Sequence, residues 1–173
     1  MWPGLSLGHS CRSVHGFPDP LRRRMYNNLG ANLAVVLATF LAVAAVVLIH
    51  YEGLILVSRL LARHNALKRG KLLIGIASVL SLHIAEIWVF GVTVWGLLHW
   101  PDCGQVLGTT SGHLLDSVYF SAVIFSTLGL GDIMPVGPLR FLVGTEAITG
   151  FVLVTWSASF TYLEMERFWR FRP

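Results

Sequence analysis

The sequence predicts an all-α membrane protein: three transmembrane helices, with a short re-entrant helix and a glycine-rich strand between the second and the third. Three observations predict it. Of 173 residues, 54% are hydrophobic and only 13% are charged, with a mean hydropathy of +0.65, whereas a soluble domain carries about 25% charged residues. Three stretches are apolar enough, and long enough, to cross a hydrocarbon core that takes about 20 helical residues. Between the last two lies an apolar segment too short to cross, followed by glycines and prolines. The formal charge of +4 and pI near 9.5 come from basic residues beside the apolar runs. Such residues mark the cytoplasmic ends of spans, so the expected partner is a lipid bilayer and not a nucleic acid.

Residues 1–28 read as a flexible tail. They contain Gly, Pro, Ser, His and the run Arg22-Arg23-Arg24 but no apolar stretch, so no signal peptide is expected. Residues 29–71 hold an accessory span and a basic loop. Leu29 to Ile49 is uncharged, and apolar character resumes from Gly53 to Leu61 beyond His50-Tyr51-Glu52. The second span, Leu72 to Leu98, is interrupted only by His83 and Glu86, and the third, residues 139–163, contains Glu146. A basic tail, 167–173, follows.

Residues 113–126 predict a short helix, with Asp116 suited to its positive N-terminal end. Fourteen residues span roughly 21 Å, too short to cross. After it come Gly129 and Gly131, then Pro135, Gly137 and Pro138. Non-helical backbone at membrane depth persists only when buried in protein or lining a wet cavity, so the segment reads as re-entrant.

Arg59, Arg63, Lys68, Arg69 and Lys71 crowd the first loop, and Arg167, Arg170 and Arg172 follow the third span. Between His99 and Leu139 stand Asp102, Asp116 and Asp132 with no Lys or Arg. The first loop and the C-terminus are therefore expected in the cytoplasm of a plasma (inner) membrane, with the re-entrant segment entering from outside. Three spans then put the N-terminus outside, against the pull of Arg22-Arg23-Arg24. Either Met25 is the initiator, or the C-terminal spans dominate the topology.

A dehydrated monovalent cation needs several oxygens to replace its water, and backbone carbonyls supply them when successive residues point inward. Alternating left- and right-handed conformations achieve this, and glycine adopts the left-handed ones at least cost. Gly129 and Gly131 provide such positions, Thr127 adds a hydroxyl at the inner end, and Asp132 sets a negative charge at the outer end.

Thr127-Leu128-Gly129-Leu130-Gly131-Asp132 resembles the T-x-G-[YFL]-G-D signature of potassium-channel pore domains. The resemblance runs from about Leu72 to Leu163 and makes residues 72–166 a pore module, with pore helix 113–126, filter 127–132 and inner helix 139–163. It implies a homotetramer, the chain with three further copies of itself. Carbonyls of Thr127, Leu128, Gly129 and Leu130 would form the ion sites, with Gly131 completing the filter. Asp132 and Asp116 would then stand at the pore mouth, and Asp102 beside them, drawing cations in. It further implies a glycine hinge in the inner helix near Gly150; close helix packing is the other reading of that residue. The expected permeant ion is K+, with no cofactor, no further metal and no enzymatic activity. Leu130 stands where a tyrosine is commonest, and Val123 where some bacterial members have a carboxylate. Both leave a non-selective cation channel as an alternative.

An intramembrane polar cluster of His50, Glu52, His83 and Glu86 is not required by that chemistry. These residues lie about 10–22 Å along their helices from the basic loop, so antiparallel helices bring the two pairs to overlapping depth. They predict either a structural pair or a proton- or metal-sensitive latch; a small proton- or metal-coupled transporter is the function they would otherwise support. Glu146 is a candidate support for the filter or the pore helix, a snorkelling surface residue being the other reading. Ser111-Gly112-His113 lacks the geometry of a hydrolase. Cys11 and Cys103 give no metal framework, and Cys103 is either a free thiol or a bridge between subunits. Trp88, Trp95, Trp100 and Trp156 call for no special role, Trp95 and Trp100 suiting an interfacial belt.

Overall fold

A computed structural model describes residues 26–63, 68–108 and 112–170. Arg22 to Arg24, Met25, Cys11 and Ser111 lie outside the described residues. Among the described residues, three helices are long and apolar enough to cross a membrane: α1 (Leu29–Arg63), α2 (Lys68–Leu98) and α4 (Leu139–Arg170). The re-entrant helix α3 (Leu114–Phe125) sits between α2 and α4. Two short strands, β1 (Gln105–Leu107) and β2 (Met134–Val136), pair antiparallel with Val106 opposite Pro135.

Helix α1 begins at Asn28, whose side-chain oxygen accepts the Ala31 N–H at 3.3 Å. It then runs unbroken through His50-Tyr51-Glu52, so the polar triplet does not divide it. Its buried residues, Ala31, Val35, Thr39, Ala42, Val46, His50, Leu54, Val57 and Leu61, recur every three or four positions. That spacing is one helical stripe, and it faces α2 and α4. Leu33, Leu37, Phe40, Leu41 and Leu48 on the other faces are exposed, as befits a helix whose solvent is lipid. Thr39, Thr93, Thr149 and Thr161 turn their hydroxyls back onto the carbonyl four residues earlier, which satisfies them where no water is at hand.

The start of α1 lies beside the segments flanking the re-entrant loop. The Tyr26 hydroxyl donates to the Gly137 carbonyl at 3.1 Å, and the Asn28 amide donates to Asp102 at 3.0 Å. Cys103 is buried against Ala31 and is a free thiol; burial pushes its pKa up, with the Asp102 charge adding to the effect. At the other end, Leu61 of α1, Lys71 of α2 and Glu164 of α4 line one groove. The three long helices therefore alternate in direction.

Two helix boundaries and one pair of strands differ from the sequence-based expectation. The third long helix continues past Leu163 to Arg170, because Glu164 to Arg170 contains no breaker and Arg167 donates to Glu164 at 3.0 Å. The short helix is Leu114–Phe125, with His113 extended before it and Ser126 closing it. The paired strands β1 and β2 were not expected at all.

Candidate functional site

Helix α3 is held by two glycines. A Cβ on Gly91 of α2 would lie 2.8 Å from the Cα of Val118, and one on Gly150 of α4 would lie 2.9 Å from the Cα of Phe125. The re-entrant helix thus rests directly on backbone at both ends, which only a residue without a side chain permits. Helix α4 continues unbroken through Gly150. Phe120 and Phe125 are buried between these contacts together with Phe90 and Leu142.

From this seat the chain leaves as an exposed strand. Every residue from Ser126 to Asp132 is exposed, including Leu128 and Leu130. Its inner end is anchored by the Thr127 N–H on the Ile124 carbonyl at 2.9 Å and the Leu128 N–H on the Val123 carbonyl at 3.1 Å. The φ angles are +58° at Thr127, +57° at Gly129 and +77° at Gly131. Positive φ thus recurs at every second residue, the alternation with which successive carbonyls can point to one side of a strand. Glycine takes this conformation freely at two of the positions, and Thr127 holds it under strain.

Asp132 closes the outer end. One carboxylate oxygen accepts the Ile133 N–H at 3.0 Å, and the other accepts the Tyr119 hydroxyl at 2.8 Å. That bond to the carboxylate raises the Tyr119 pKa. Sequence reasoning missed Tyr119, which reads as one more apolar residue of α3. Asp116 lies in the first turn of the same helix, one turn before Tyr119.

Glu146 is fully buried in α4 and lies near Ser121 of α3, so it stands behind the short helix. Among the described residues, neither its carboxylate oxygens nor the Ser121 hydroxyl has a hydrogen-bond partner in ordinary geometry.

The intramembrane cluster assembles from three residues and not four. His50 Nδ1 lies 2.7 Å from one oxygen of Glu86, and His83 Nδ1 lies 2.8 Å from the other. His50 and Glu86 are fully buried, and the imidazole rings stack at 5.6 Å. The expectation for Glu52 is corrected: two residues along the helix from His50, it falls on the opposite side of α1 and is exposed. Trp156 of α4, given no role from sequence, packs on His50 at 5.3 Å, and the His83 ring lies 5.8 Å from that of Phe125.

A family model described as "Ion channel" matches residues 78–165, about half of the chain. No curated protein and no solved structure matches it.

Proposed function

Because the chain belongs to the ion-channel family, in its potassium-channel pore-domain form, we propose that four copies close around one axis and pass potassium between their backbone carbonyls. As a member of that family the protein is a channel subunit in a membrane and not an enzyme. In the proposed assembly the carbonyls of Thr127, Leu128, Gly129 and Leu130 replace the water of the ion. Asp132 and Asp116 concentrate cations at the mouth.

One observation carries this reading: left-handed φ at Thr127, Gly129 and Gly131 along a strand exposed at both leucines. Unpaired backbone beside three membrane-crossing helices requires cover, which further copies supply while leaving a wet axis. One such strand per chain makes a closed ring of copies the simplest solution. The charge pattern orients the assembly, with the re-entrant loop outside and the basic loop and C-terminus in the cytoplasm of a plasma or inner membrane. The cluster on α1 and α2 is then an accessory to the pore and not the transport path.

The test is the reversal potential of purified protein in planar bilayers, with potassium on one side balanced by sodium on the other. Reversal near the potassium equilibrium value is the expected result. Unitary currents reversing near zero would make the pathway a non-selective cation channel, the reading favoured by Leu130 in the position where tyrosine is commonest. A folded assembly that passes no cation under any voltage would refute conduction.

A further inference from the structure

We propose that His50, His83 and Glu86 form a binding site for a divalent transition-metal ion of the zinc type, joining the accessory helix α1 to α2. The donors already converge. Two imidazole nitrogens stand 2.7 and 2.8 Å from the two oxygens of one carboxylate, and one ligand atom from each residue lies within 4.8 Å of the others. Two imidazoles and a carboxylate suit borderline cations such as Zn2+ or Co2+. Ca2+ and Mg2+ take all-oxygen cages and are disfavoured.

Hydrogen bonding alone does not account for the arrangement. His50 is fully buried and turns its Nδ1 to Glu86, so an ion shared with that carboxylate would be held on Nδ1. One imidazole would have satisfied most of the Glu86 carboxylate, and the chain places two there, on different helices. Ionisable groups within a span are costly and are kept where they do something. An ion in the cluster would take the place of the protons that stand between the imidazole Nδ1 atoms and the carboxylate, each neutral ring then carrying its proton on Nε2.

The site has a route in. His83 is partly exposed and lines a groove between α2 and α4 together with Ser157, Thr161 and Tyr162. The buried Ser157 hydroxyl has no partner, so this groove has polar atoms free to hold a water as a further ligand. The position also has a consequence. His83 packs on Phe125, the last residue of α3, and Phe125 rests on Gly150. A bound ion fixes α1 to α2 at the base of the re-entrant helix.

The experiment titrates Co2+ into tag-free, full-length protein in lipid nanodiscs and follows the visible d–d absorption. The expected result is an intense tetrahedral spectrum that saturates at one ion per chain and is displaced by Zn2+. His50→Asn and His83→Asn, which place an amide where the imidazole Nδ1 stands and so keep a polar contact with Glu86, each weaken binding by at least about 100-fold, more than losing an outer-sphere partner usually costs. No tetrahedral band in the parent protein overturns the proposal without any variant, and so does a band of undiminished affinity in either variant. Because the readout is ion binding, a failure of the conduction reading leaves this result intact, and the reverse.

Discussion

Gly150→Ala separates two roles for that glycine by stability read together with channel opening. A Cβ there would lie 2.9 Å from both the Cα and the carbonyl carbon of Phe125, and closer still to its oxygen. Ordinary carbon–carbon contact begins near ~3.5 Å, so α4 and the end of α3 must part by roughly 0.6 Å or more. The obstacle is backbone, and no rotamer change relieves it. Overpacking of this kind costs about 1–3 kcal/mol, offset by the gain of up to about 1 kcal/mol from replacing glycine by alanine in a helix.

The same gain applies at Gly96 of α2, where a Cβ would meet nothing within 4 Å. Comparing Gly150→Ala with Gly96→Ala therefore cancels the propensity and leaves the full strain of about 1–3 kcal/mol. Equilibrium unfolding of both variants in bicelles measures it. The displaced end of α3 carries Thr127 two residues on, so the Gly150 variant is also expected to conduct less at unchanged driving force. Equal stability of the two variants would refute the close approach. Equal stability with fewer openings would leave Gly150 as a hinge.

Tyr119→Phe removes the hydroxyl that Asp132 accepts at 2.8 Å and little else. The expected outcome is a filter loosened at its outer end and a potassium-to-sodium permeability ratio that falls, read from the reversal potential; an unchanged ratio would show that Tyr119 does not hold the filter. Gly129→Ala forces a side chain into φ +57°, at about 1–2 kcal/mol per chain. Assembly by crosslinking should survive while unitary current is lost, and persistence of parental currents would refute the carbonyl alternation.

The spans and the re-entrant segment were legible because they depend on length and charge, which a single chain displays. Gly129 and Gly131 were legible because left-handed backbone selects glycine. What escaped depends on pairing across distance. Tyr119 and Asp132 are 13 positions apart, and nothing in an apolar run marks which tyrosine turns toward a carboxylate. Strands of three residues, one containing Pro135, show too little alternation to register. Depth arithmetic put His50 and Glu52 level with His83 and Glu86. From Leu29 to Ile49 helix α1 is apolar on every face, so nothing in that run marks which face turns inward or separates Glu52 from the residues that do meet.

Helix α1 is held by polar contacts at two depths, and this decides what kind of element it is. Apolar surface alone does little to bring helices together in lipid, since the tails are as apolar as leucine. The stripe Val35, Ala42 and Val46 gives close packing but little register. Register comes from the rim, where Tyr26 and Asn28 reach Gly137 and Asp102, and from within the span, where His50 meets Glu86 and Trp156. Gly137 lies just before α4, and Phe125, which touches His83, ends α3. Both grips therefore fall on the segments that frame the glycine-rich strand. A helix serving only to anchor the chain would need neither. Placed as it is, α1 forms part of the frame around the strand, and two side-chain contacts, His50 on His83 and His83 on Phe125, connect it to the base of α3.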